Sequence, residues 1–176
     1  MAPEAGKMSL PERKPLRLKE WDYSGAGYYF VTVCTQDRAH LFWDVDVGRA
    51  GLEPAPTNAL GELVAQTWLE LPAHTVGIHM DKFVVMPNHF HGIVVLENGC
   101  VGAGSKPART PLPEVMRQFK TFSARKINQV RGTPGQAIWQ RSYYDHIIRD
   151  ESDYHRIWQY IDTNPAKWEE DEYFAP

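Results

Sequence analysis

The chain has 176 residues, of which 43% are hydrophobic and 23% charged, with a formal net charge of −3. That length suits one domain around one core, and the composition excludes global disorder. No apolar run approaches the roughly eighteen residues of a membrane span, the N-terminal MAPEAGKMSLPERKPLRLKE holds no secretory h-region, and Cys34 and Cys100 form no CxxC motif. The expectation is a reduced, cytoplasmic protein with neither disulfide nor zinc knuckle.

Residues 1–20, rich in Pro, Lys, Arg and Glu, read as a flexible basic arm, and 21–176 as a single domain. After Gly25-Ala26-Gly27, the β-prone run Tyr28–Thr35 is the first strand. Residues 36–57 are polar and carry Pro and Gly, so they read mostly as loop. Asn58 is a plausible N-cap for a helix to about Leu71, ended by Pro72, with Leu60, Leu63, Val64, Thr67 and Trp68 on its buried face.

Ile78–Met86 is the second strand and His89–Leu96 the third, joined as a hairpin across Pro87-Asn88. A Gly-, Ser- and Pro-rich loop over 97–110 precedes a helix from Leu112 to Val130, its apolar side carrying Val115, Phe119, Phe122 and Ile127. Ile138–Ile148 is aromatic and β-branched enough for a fourth strand. A last helix runs from Glu151 to Asn164, before Pro165. The order β-α-β-β-α-β-α gives an α+β fold of ferredoxin-like or RRM-like, split βαβ type. Its antiparallel sheet carries helices on one face, its third strand lies centrally, and the C-terminal helix is an addition.

Charge is unevenly distributed. From Lys106 to Arg131 the chain carries Lys106, Arg109, Arg117, Lys120, Arg125, Lys126 and Arg131 against the single acid Glu114, while Glu169, Glu170, Asp171 and Glu172 cluster near the C-terminus. Such a face binds phosphates or is merely a solvated helix surface; composition alone leaves both readings open.

His89 and His91 alternate with Phe90 on a strand, so both imidazoles point to one side, close enough to share a cation. Ordinary strand histidines are the competing reading. Their position just after a turn, between the apolar runs FVVM and GIVVL, makes the metal reading more pointed. On the last helix Tyr160 and Asn164 lie four apart and face the same way. They could present a phenol nucleophile and an amide ligand together, or be an aromatic and a helix-end residue.

The segments FVVMPNHFHGIVVL, IWQRSYYDHIIRDESDYHRIWQYIDTNP and YYFVTVCTQDR together resemble the REP-associated tyrosine transposases, relatives of the single-tyrosine HUH transposases. The resemblance spans Tyr28 to Trp168 and keeps the family order of the His-hydrophobe-His element, the WQRSYYDHIIR strand and the YI-x-x-NP helix end. It implies metal ligands at His89, His91 and Asn164 and a nucleophile at Tyr160. It also implies Mg²⁺ or Mn²⁺ as cofactor and single-stranded or hairpin, REP-like DNA as partner. It favours a monomer over a dimer. The implied reaction is attack by Tyr160 on the DNA backbone, leaving a 5′-phosphotyrosine and a free 3′-hydroxyl.

For the DNA surface, Arg117, Lys120, Arg125 and Lys126 on the second long helix, or Arg141 and Arg149 on the fourth strand, are candidate phosphate contacts. Tyr143 and Tyr144 offer rings for base stacking. Strand neighbours face opposite ways, so at most one of them faces DNA, and Tyr143 is the one expected there. Two alternatives stay open: a non-catalytic RRM-like binding module, against which no RNP-type pattern is found, and a metal-dependent phosphodiester hydrolase that uses water.

Overall fold

A computed structural model describes residues 25–44, 57–97 and 110–174. The expected arm over 1–20, together with Cys100, Lys106 and Arg109, lies outside the described residues.

Strand β1, Gly27–Cys34, carries the aromatic and β-branched run GYYFVTVC. Helix α1, Ala59–His74, begins at Asn58, whose Oδ1 accepts from the N–H groups of Leu60 (3.0 Å) and Gly61 (3.1 Å). The helix does not stop at Leu71; it continues through Pro72 to His74. Proline there removes only its own N–H bond in the last turn. Buried Leu71 and the 2.6 Å bond from Thr75 Oγ1 to Gln118 Oε1 hold that end down.

Strands β2, Ile78–Val85, and β3, His89–Leu96, form the expected hairpin. Its turn is anchored rather than free. Asn88 O accepts from the Thr35 N–H at 2.8 Å, and Pro87 O from the Leu41 N–H at 2.9 Å. Helix α2, Leu112–Arg131, buries Leu112, Val115, Met116, Phe119, Ser123 and Ile127 at helical spacing. It ends on Gly132, whose φ of 65° is the left-handed cap that glycine adopts freely.

Strand β4 is shorter than its sequence suggests, Tyr144–Ile148 rather than 138–148. Ile138 and Trp139 turn inward, and the Trp139 indole donates to Ser123 Oγ on α2 at 2.9 Å. The carbonyls of Gln140 and Arg141 accept from Lys120 Nζ at 2.6 and 2.8 Å instead of joining a ladder. Helix α3, Glu151–Thr163, starts where Asp150 Oδ1 accepts from the Asp153 N–H at 2.8 Å. It runs into a 3-10 turn, Pro165–Glu170.

The four strands lie in the order β2-β3-β1-β4, all neighbours antiparallel. This is the split βαβ arrangement, α+β, with β3 central as its pattern implies. Alternation divides the sheet's two faces. Phe90 meets Trp68 of α1 and Phe119 of α2, each ring pair 4.8 Å apart. Gly92 lies on that same face, where a Cβ would stand 2.7 Å from Trp68 Cζ2, so only glycine lets the indole lie against β3. His89, His91, Phe30 and Thr32 look the other way; Tyr160 of α3 lies against Phe30 and His91, and Trp168 and Tyr173 beyond the helix lie against His89. Among the described residues no helix is long and apolar enough to cross a membrane.

Candidate metal and nucleophile site

Both histidines are fully buried, with their Nε2 atoms 2.9 Å apart. Each ring is fixed from behind. Asn88 Oδ1 lies 2.8 Å from His89 Nδ1, while Asn88 Nδ2 donates to Tyr173 O at 3.0 Å. The amide oxygen can only accept, so His89 carries its proton on Nδ1 and leaves Nε2 with a lone pair facing the site. His91 Nδ1 lies 2.8 Å from Thr32 Oγ1. A hydroxyl accepts or donates, so His91 can hold either tautomer: Nε2–H toward His89, or Nδ1–H toward Thr32 with Nε2 bare.

Burial, then the nearby Arg38 charge, pushes the His89 pKa down to about 3. Burial and then His89 hold His91 well below the usual imidazole value, against an opposing pull from Asp171. Both are neutral at physiological pH, the form in which imidazole binds a metal.

Helix α3 brings Tyr160 to this pair. Its hydroxyl lies 3.2 Å from His91 Nε2 and donates to Asp171 Oδ2 at 3.0 Å. Burial, followed by the Asp171 charge, raises the phenol's pKa, so it rests protonated. One turn on, Asn164 Nδ2 donates to the same Asp171 Oδ2 at 2.8 Å. Asn164 Oδ1 is buried without a hydrogen-bond partner.

In the sequence Asp171 is one of a run of acids, yet in the fold it links the site together. Its side chain is 2% exposed, Oδ1 lies 3.9 Å from His89 Nε2, and it forms with both histidines a cluster whose ligand atoms all lie within 4.8 Å of one another. The helical pattern ends at Pro165, so no periodicity signals the return of 171–173 over the histidines. That return is held by the Tyr173 N–H donating to Asp171 Oδ1 at 2.7 Å and by the Tyr173 ring 4.9 Å from His89. Asn88 and Thr32 also escape sequence reading, one as a turn former and the other as a strand residue.

The pose of α3 is set from β2. A bulge between Met80 and Phe83 aims both Asp81 and Lys82 at the helix. Tyr154 donates to Asp81 Oδ2 at 2.7 Å, and Lys82 pairs with Asp162 while its Nζ sits 4.0 Å over the Trp158 ring.

The expected DNA contacts divide. Arg117, Lys120, Arg125 and Lys126 belong to α2, on the opposite side of the sheet from the histidines. Arg117 pairs with Glu114 and Lys126 with Glu70, and Lys120 bonds backbone carbonyls. Arg141 and Arg149 are exposed on either side of β4. Tyr143 is half-buried against the core, whereas Tyr144, 47% exposed, is on the histidine face.

Two neutral imidazoles and a carboxylate within reach of one another form a donor set that could hold a divalent cation. The fold and site thus define a two-histidine α+β protein with a tyrosine at its buried polar centre.

No family model matches the chain. A Haemophilus influenzae protein of uncharacterised function is 35% identical over 94% of this chain and 95% of its own length. A second protein of that organism, named among the REP-associated tyrosine transposases, is 28% identical over 83% of this chain and 74% of its own. The structure of a REP-associated tyrosine transposase bound to a REP hairpin matches the fold with a TM-score of 0.52 at 21% identity, covering 90% of this chain and 74% of the other. The chain is thus similar in sequence to a REP-associated tyrosine transposase and shares the fold of another.

Proposed function

We propose that this protein is a metal-dependent single-strand DNA endonuclease and strand transferase, with Tyr160 as nucleophile and His89, His91 and Asn164 as metal ligands. The observation that carries the reading is the phenol oxygen 3.2 Å from His91 Nε2, beside the His89–His91–Asp171 cluster that could hold a metal ion. Asp171 is a fourth candidate ligand. The relative named as a REP-associated tyrosine transposase, and the neighbouring structure's REP hairpin, suggest hairpin or REP-type DNA as the substrate. One chain supplies every candidate group, which supports a monomer. A DNA substrate suits a cytoplasmic enzyme.

A bound Mn²⁺ or Mg²⁺ would polarise a non-bridging phosphate oxygen and offset charge in the in-line transition state. Tyr160 attacks phosphorus as the bond to the 3′-oxygen breaks. The phenol proton passes toward Asp171, which already accepts its hydrogen bond, and the departing 3′-oxygen takes up a proton. The products are a 5′-phosphotyrosine and a free 3′-hydroxyl. A second 3′-hydroxyl reverses the step and rejoins the strand without ATP.

The test is to incubate the protein with labelled hairpin-bearing single strands and Mn²⁺, then resolve covalent protein–DNA adducts on a denaturing gel. Wild type forms the adduct and Tyr160→Phe does not. Binding without any adduct across REP-like sequences would sink the transferase reading. Cleavage that survives Tyr160→Phe but not His91→Ala would favour the water-using hydrolase.

A further inference from the structure

Beside the nucleophile, an open groove of about 490 Å³ runs between β4 and α3. Its volume falls within the roughly 300–1,000 Å³ of small-ligand sites. We propose that this groove seats one unpaired nucleotide next to the scissile phosphate, its base stacked on Tyr144. The proposal rests on the DNA-cleaving reading above and specifies where that substrate is gripped.

Three observations carry it. The first is the aromatic floor. Tyr144 is 47% exposed, and the buried ring of Phe30 meets it edge-on at 6.4 Å. Phe30 also meets the Tyr160 ring edge-on at 6.0 Å. One ring therefore separates the open aromatic face from the ring of the nucleophile.

The second is the charge on the walls. Arg156 lines the groove on the α3 side with its side chain 68% exposed, paired with Asp153 through Nη2. Glu170, Asp171 and Glu172 line it on the other. Carboxylates repel a phosphodiester backbone, and a guanidinium attracts it. The asymmetry turns the nucleotide so that its phosphate lies toward Arg156 and its uncharged base enters over the rings.

The third is that the expected cationic surface lies elsewhere. The basic residues of α2 are on the far side of the sheet. A strand lying at Tyr160 cannot be held there by α2, so local contacts must hold it, and stacking tolerates any base.

The test uses Tyr160→Phe protein, so that binding is read without chemistry. The affinity for a hairpin oligonucleotide with unpaired flanks is measured by fluorescence anisotropy at fixed salt. The base is then removed at one flank position after another. One position is expected to weaken binding roughly 5- to 150-fold, the range of base–aromatic stacking. Tyr144→Ala weakens the intact substrate by a comparable factor and makes that position insensitive, whereas Tyr144→Trp and Tyr144→Phe keep both affinity and sensitivity. Tyr144→Ala binding within twofold of the parent, a flat abasic scan, or sensitivity that persists without the ring each overturns the proposal. Failure of wild type to form any adduct is a separate result, and it would leave this binding scan interpretable.

Discussion

The buried histidine pair makes a quantitative claim about stability. In the unfolded chain each imidazole titrates near its reference value of about 6.5. In the folded protein His89 is pushed down to about 3 by burial and His91 is held well below its usual value. A depressed folded pKa means that protonation favours the unfolded chain. The contribution is fully present above pH 6.5 and is lost as pH falls through the window from there toward about 3. His89 then costs about 1.4 kcal/mol per pH unit, about 2 kcal/mol at pH 5, and His91 adds to the loss in the same direction. Against a typical stability of ~5–15 kcal/mol this is a large share. Urea unfolding followed by tryptophan fluorescence, in EDTA, at about pH 7.5 and 5 reads it directly above the carboxylate range. The His89→Gln/His91→Gln double variant should be nearly flat over the same interval. A wild-type loss below about 1 kcal/mol, or an equal slope in the double variant, would refute the buried, neutral pair.

Other consequences follow from single contacts. Asn88→Ala and Thr32→Val should weaken Mn²⁺ binding roughly 10- to 100-fold by calorimetry, because each frees an imidazole from its orienting partner, while Thr32→Ser keeps it. Unchanged affinity would remove both from the site. Gly92→Ala forces a methyl to 2.7 Å from buried Trp68 and 2.8 Å from Phe90, so it should cost about 1–3 kcal/mol in urea and alter the near-UV circular dichroism. Lys82→Ala removes the pairing with Asp162 and the Trp158 contact, for about 1 kcal/mol. It should also slow adduct formation by loosening the pose of Tyr160, whereas a variant with normal rate would show that α3 is held by its apolar contacts alone.

Features encoded locally were readable in advance. The residue after the Pro-Asn turn begins β3, and strand alternation puts both histidines on one side because that face is decided by a period of two. Helical spacing put Tyr160 and Asn164 together, since four residues close one turn. What failed to appear depended on distant partners. Ile138 and Trp139 have strand chemistry, but Ser123 of α2 offers the indole an acceptor and draws the segment inward. The basic run on α2 is real in sequence, yet which side of the sheet it occupies is decided by Phe90 packing on Phe119. Asp171 joins the site through a return of the chain that no local pattern announces, and its three acidic neighbours give no reason to prefer it. Tyr143 and Tyr144 are chemically alike, and only the register with Thr32 sends Tyr144 to the histidine face.

The central claim is that Tyr160, and no other tyrosine, becomes joined to DNA. Protease digestion of the Mn²⁺-dependent adduct followed by tandem mass spectrometry tests it most directly. A 5′-phosphonucleotide on Tyr160 is the predicted result. The same mass on Tyr173, Tyr144 or Tyr154, or an adduct on no tyrosine, would contradict it.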